Sequence, residues 1–134
     1  MTRGELLNNP GNIEKGEDWQ GLCEDQPDAR FCKFIDPEHG FRAMSKILQS
    51  YKQDGVMTLA STITRWSPSF ENDTPSYISD VSERSGILAY APIDLASYAI
   101  QLPLVKAICF HEQGEQIWPD AVVIKGLALA GIHP

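Results

Sequence analysis

The sequence predicts a mainly α chain with a small β element near its N-terminus, in the α+β class. Three observations carry that expectation. From Phe41 onward, apolar residues recur at the three-to-four spacing that puts one helix face in a core. Start and stop signals bracket those stretches: Asp36-Pro37-Glu38 and Thr74-Pro75 at beginnings, Gly86, Gly114 and Gly131 at ends. Only one short stretch, Arg30 to Ile35, alternates as a strand does.

Residues 1–22 read as irregular, with a short strand from Asn12 to Glu14. Asn8-Asn9-Pro10-Gly11-Asn12 is turn chemistry: Pro sets φ, Gly admits positive φ, and Asn side chains bond back to the backbone. Such shaped loops present side chains and carry function more often than cores do. Residues 24–30 form a polar loop, so Arg30–Ile35 is expected to close a small hairpin with the preceding segment. Asp36 caps a helix whose buried face is Phe41, Met44, Ile47, Leu48 and Tyr51, ending near Gly55. A second helix spans Thr58 to Trp66, with Leu59, Ile63 and Trp66 on one side. Ser67 to Asp73 is a loop whose Glu71-Asn72-Asp73 reads as the cap region of the third helix. Thr74 is expected to cap that helix, with Tyr77, Ile78 and Val81 inward and Gly86 as its stop. A short helix then runs from Asp94 to Ile100. Pro103 opens another, with Leu104, Val105, Ile108 and Cys109 inward, ending at His111-Glu112-Gln113-Gly114. Asp120 caps the last helix, Ala121 to Ala130, which is apolar nearly all round and so expected to be buried.

At 134 residues the chain is expected to be one domain, 1–134. Its net charge of −7 argues against nucleic acid as a partner, since phosphate recognition needs a basic surface. Neutral sugar chains remain suitable, because aromatics and amides recognise them. No run is long enough for a membrane span, and Met-Thr-Arg-Gly-Glu lacks the apolar core of a signal peptide. Three cysteines give no even disulfide framework and no zinc spacing. Cys23 and Cys32 flank a polar segment and would pair across a hairpin if their geometry allowed; Cys109 reads as a buried small hydrophobe. His111 has no ligand pattern with His39 or His133 and reads as a surface or tertiary polar residue rather than a metal ligand. No cofactor or metal is called for.

Glu5 and Glu14 stand nine apart across the Asn-Pro-Gly turn, followed by Trp19 and Gln20. Glycosidic cleavage needs one carboxylic acid to protonate the leaving oxygen and a second group to steady the cationic centre or water. If the turn folds back, Glu5 and Glu14 share a cleft, Gln20 holds water, and Trp19 stacks on a sugar or walls the acid. Glu14, beside Lys15, reads equally as a solvated surface charge. Tyr77 and Trp66 read first as core. A carboxylate at the end of a helix opposes its dipole, which singles out Glu112.

The spacing of Glu5, Glu14 and Gln20 resembles that of phage-type lysozymes, with Glu where that family has Asp and Gln where it has Thr. Over nearly the whole chain, RGELLNNPGNI…WQGL…ARFCKFIDPEHGFRAM…ITRWSPSFENDTPSYI…LVKAICFHEQG is similar to a group of small phage and prophage proteins, also found as toxin modules, with an Asn-Asn-Pro-Gly-Asn-Ile signature. Some of these are labelled virion proteins and others are regarded as peptidoglycan-cleaving. The order Asn8-Asn9-Pro10-Gly11, Phe31–Phe34, Thr74-Pro75-Ser76-Tyr77 also resembles autolysin glucosaminidases. There the catalytic Glu ends a helix before the Asn-Asn segment; here the matching helix-ending Glu is Glu112, which a circularly permuted order would reconcile.

These resemblances imply a lysozyme-like fold of five to six short helices. The implied activity is muramidase-type cleavage of bacterial peptidoglycan, by hydrolysis or lytic transglycosylation. Glu5 or Glu112 is then the acid, Glu14 the second group, and Asn9, Trp19, Gln20 and Tyr77 the substrate contacts. They also imply synthesis in the bacterial cytoplasm and action in the periplasm or wall, or carriage in a virion, with an immunity protein as partner if the domain is an exported toxin. The alternative is a non-catalytic virion protein on the same scaffold.

Overall fold

The computed structural model describes residues 1–67 and 73–134. Glu71 and Asn72, read above as part of a helix cap, lie outside the described residues. Among those described, six α-helices follow in order: α1 (Arg3–Leu6), α2 (Pro37–Gln53), α3 (Leu59–Trp66), α4 (Thr74–Ser85), α5 (Tyr98–Gln113) and α6 (Asp120–Leu129). The protein is mainly α, as its apolar spacing implies.

α2 begins as the sequence dictates. Asp36 accepts a hydrogen bond from the His39 backbone N–H, and Pro37 takes the first turn, where its missing N–H costs nothing. Phe41, Met44 and Leu48 are fully buried, while Ile47 and Tyr51 pack at the edge of the core. Thr58 caps α3 from outside it, accepting from Ser61 N. The α4 cap is Asp73 rather than Thr74: its carboxylate accepts from Ser76 N, and the Thr74 hydroxyl instead donates to the Ser67 carbonyl at 2.8 Å. Two adjacent cap-competent residues offer the choice, and the carboxylate takes it because Thr74 is buried inside the turn.

Four other expectations change. Residues 1–22 are not wholly irregular, because Thr2 caps the single turn α1. The hairpin reduces to two isolated antiparallel bridges, Glu14 with Phe31 and Leu22 with Phe34. The 31–35 segment divides its bonds among three neighbours: Cys32 N donates to Ile13 O, Phe34 N to Leu7 O and Ile35 N to Gly21 O. No neighbour runs beside it long enough for a ladder. Asp94–Ile100 and the Pro103 helix are one element: Pro103 lies inside α5. The Ala99 carbonyl that loses its N–H partner there belongs to an exposed residue, so the missing bond is not left in the core. Finally, Pro119 and not Asp120 sits at the α6 cap position, and α6 buries one face only. Ile124 and Leu129 are 36% and 41% exposed, because among the described helices α6 packs mainly against α2 and, less extensively, α5.

One hydrophobic cluster joins α2 through α6 to Ile13, Cys32 and Phe34 of the N-terminal segment. α2 and α6 approach so closely that a Cβ on Gly126 would meet the Glu38 carbonyl at 2.8 Å and the Phe41 side chain. Cys23, Cys32 and Cys109 are free thiols, so the Cys23–Cys32 pairing is not made. No helix among the described residues is long and apolar enough to cross a membrane.

Candidate functional site

The Asn8–Asn12 loop is built from within. Asn9 is wholly buried; its Nδ2 donates to the Ile13 and Cys32 carbonyls and its Oδ1 accepts from Ile13 N–H, all at 2.9 Å. Asn8 and Asn12 take left-handed φ values of 51° and 50°, which Asn tolerates better than most residues. Pro10 and Gly11 lie against α2 and α3: a Cβ on Gly40 would touch Pro10 Cδ at 2.5 Å, and one on Gly11 would meet Trp66 at 3.0 Å. Thus Asn9 shapes the loop rather than presenting itself, and the loop presents Asn12.

The end of α5 comes to meet it. Gly114 takes φ 80° and closes the helix with a bond from its N–H to the Phe110 carbonyl. Gln113, buried beside the loop, donates from Nε2 to the Pro10 carbonyl at 3.0 Å and accepts from the Thr2 hydroxyl at 2.5 Å. Glu112 then faces Asn12: Asn12 Nδ2 donates to Glu112 Oε1 at 2.9 Å, between residues 100 apart in sequence. On the other side the Tyr77 hydroxyl donates to Glu112 Oε2 at 2.6 Å. Glu112 is only partly buried, so it keeps some contact with solvent.

Tyr77 is 2% exposed. Burial, reinforced by the Glu112 carboxylate, pushes its phenol well above the usual range, so it donates at every working pH. Its ring stacks on His111, centroids 3.7 Å apart at 27°. His111 Nδ1 bonds Asp80 Oδ2 at 2.7 Å, and Arg84 Nε donates to Asp80 Oδ1 at 2.9 Å. Burial works against the Asp80 carboxylate, but hydrogen bonds from His111 and Arg84 hold it below the ordinary range. Arg84 lies over the Phe110 ring at 3.8 Å.

The structure therefore brings together Glu112, Tyr77 and, through the loop it braces, Asn9. Glu14 turns to Arg30, which bonds its Oε1 through Nε at 2.5 Å and pairs with it through Nη2, in an exposed arrangement. Glu5 lies on α1, next to Gly4, whose backbone presses on Gln113. Trp19 is partly buried against the core, with its Nε1 buried and unpartnered, and Gln20 is exposed. Asn12 reads in the sequence only as a turn residue of the shaped loop, and Gln113, Asp80 and Arg84 are not singled out there. Their legible signal is the spacing of Tyr77, Asp80 and Arg84, three and then four residues apart on one helix face. No group of three or more His, Cys, Asp or Glu among the described residues is arranged to hold a metal ion.

No family model matches the chain. It is 41% identical over 130 residues to Protein P5 of Pseudoalteromonas phage PM2, a match covering 93% of this chain and 79% of that protein.

Proposed function

The chain belongs to the family of Protein P5 of Pseudoalteromonas phage PM2, and from that premise we propose that it cleaves the glycan strand of bacterial peptidoglycan with Glu112 as the proton donor. One observation carries the reading. A helix-ending carboxylate is held by a hydrogen bond to each oxygen, from the Asn-Asn-Pro-Gly-Asn loop and from a buried tyrosine. The resemblance to autolysin glucosaminidases supports this reading, because there too a helix-ending Glu belongs with an Asn-Asn segment, and a circularly permuted order would reconcile the two chains.

In this mechanism protonated Glu112 gives its proton to the glycosidic oxygen as the bond to the anomeric carbon breaks. Asn12 and Tyr77 fix the direction of the carboxyl group and stabilise the carboxylate left behind. With Glu14 engaged by Arg30, one carboxylate suffices if the sugar's own C6 hydroxyl attacks the anomeric carbon and returns its proton to Glu112. No water is consumed, and the product is an anhydro sugar end. This arrangement favours the lytic transglycosylase branch over hydrolysis. Glu5 on α1, the exposed Gln20 and the half-buried Trp19 are the remaining candidates for substrate contact.

The test is turbidity loss of purified peptidoglycan with mass analysis of the fragments. Glu112→Gln is expected to lower the rate by about 10²- to 10⁴-fold, the usual worth of a positioned general acid. Glu14→Gln and Glu5→Gln should stay within a few-fold of wild type, and fragments should be one water lighter than hydrolysis products. An active Glu112→Gln protein sinks the assignment. A second reading, a virion protein without catalysis, is favoured by the same two bonds, since a carboxylate saturated from within also braces a fold. It predicts no cleavage by wild type.

A further inference from the structure

Two consecutive residues of α5 straddle Tyr77. Glu112 receives its hydroxyl, and His111 lays a ring against its ring. A tyrosine side chain has two soft torsions, and a small rotation of either carries the hydroxyl out of hydrogen-bond range. Burial alone limits that motion but does not set the plane of the ring. The His111 ring could do so only if its own plane were fixed, and it is. Its Nδ1 is tied to Asp80, and Asp80 is tied in turn to Arg84. Tyr77, Asp80 and Arg84 share one face of α4, so ring, anchor and anchor's anchor are held in register by one helix.

The geometry points to His111, locked by Asp80, as a positioning residue that aims the Tyr77 hydroxyl at Glu112, an inference that rests on Glu112 being the proton donor. Two ordinary explanations cover part of the cluster. A histidine near a helix C-terminus suits the dipole, and Asp80–Arg84 is a favourable pair four apart. Neither explains why the imidazole stacks on a side chain that bonds the Glu112 Oε2 atom.

His111→Ala and His111→Phe separate these accounts. Both remove the bond to Asp80, but only Phe keeps a ring against Tyr77. Asp80→Ala and Asp80→Asn form a second pair, in which only Asn keeps an acceptor for Nδ1. Thermal midpoints, kcat and KM on soluble glycan fragments, and the Tyr77 hydroxyl proton by NMR are read for all four. A buried phenol proton 2.6 Å from a carboxylate oxygen gives a downfield, slowly exchanging resonance. Each Ala variant is expected to lose that resonance and to lower kcat on the order of 10- to 100-fold, with KM within about twofold. Asp80→Asn, which keeps the anchor for Nδ1, should restore the resonance and most of kcat, whereas His111→Phe, a ring without its anchor, should stay close to His111→Ala. If Asp80→Ala matches Asp80→Asn in both readouts, if His111→Phe matches wild type, or if losses follow the thermal midpoint alone, positioning by the locked imidazole is overturned. A wild type that shows the resonance but cleaves no glycan refutes the proposed function, while the resonance comparison still decides the positioning of Tyr77.

Discussion

Replacing Asn9 with alanine tests whether the loop is held from within. Alanine removes three bonds of 2.9 Å from a site with no solvent access. The losses are unequal. The Ile13 carbonyl keeps a second partner, the Cys32 N–H at 3.0 Å, so losing Asn9 costs it about one ordinary bond. The Ile13 N–H has Asn9 as its partner and becomes a buried orphan, a penalty of about 1–3 kcal/mol. With roughly 1 kcal/mol for each of the two lost donor bonds, Asn9→Ala should cost about 3–5 kcal/mol. That is a large part of the 5–15 kcal/mol typical of a domain. A urea titration reads it directly: with a slope of about 1–3 kcal/mol per molar, the midpoint falls by roughly 2 M at unchanged slope. A loss under about 1 kcal/mol would refute the brace. Full stability with lost glycan cleavage would make Asn9 a ligand instead.

Three further outcomes follow from packing and charge. Gly126→Ala sets a methyl against the Glu38 backbone carbonyl, and should cost about 1–3 kcal/mol as a lowered thermal midpoint; no change would mean that α6 shifts freely on α2. Burial and the nearby Glu112 charge push the Cys109 thiol up to about 12, and burial raises Cys32, so an aromatic disulfide reagent should titrate one thiol, Cys23, in the native protein and all three in urea. The Asp36 and Asp80 carboxyls are held below their ordinary values in the folded state, so their contribution is complete above about pH 5 and is lost as pH falls through the folded values. Stability should therefore decline on acidification, with a shallower slope in Asp80→Asn; an identical slope would show that Asp80 contributes nothing.

What could be read from the chain alone is local. Asp36-Pro37-Glu38 starts α2 because cap, fixed φ and acidic first turn act within four residues. Gly86 and Gly114 end α4 and α5 because left-handed caps are a property of the glycine itself. The misread features depend on surroundings. Pro103 looks like a helix start, and only the exposure of Ala99 shows why α5 tolerates it inside. The apolar α6 looks buried all round, and only the placement of α2 and α5 shows which face is covered. The site is the extreme case. Asn12 and Glu112 each carry a local reason to be noticed, but nothing local says that they touch. The hint lay in chain order: a helix-ending acid that should precede an Asn-Asn loop, found at the opposite end of the chain.

That order also gives Glu112 a cost. A carboxylate in the last turn faces the negative end of the α5 dipole, at about 0.3–1 kcal/mol. It also sits in a chain whose net charge is already −7. Glutamine at 112 would be spared both penalties, and its amide could still meet Asn12 and Tyr77 with neutral bonds. The exchange gives up charge-assisted bonds of about 1.5–3 kcal/mol for neutral ones of about 0.5–1.5. Over the two bonds the loss is about 2–3 kcal/mol against a dipole gain of about 0.3–1, so Glu112→Gln should destabilise by about 1–3 kcal/mol on either reading. Cleavage separates the readings. A proton donor predicts an active wild type and a large loss of rate in Glu112→Gln, whereas a carboxylate that only locks α4, α5 and the loop predicts the same loss of stability with no cleavage by either protein. Cleavage rates of the two proteins, measured beside their urea midpoints, decide whether the charge at 112 is kept for the fold or for the glycan.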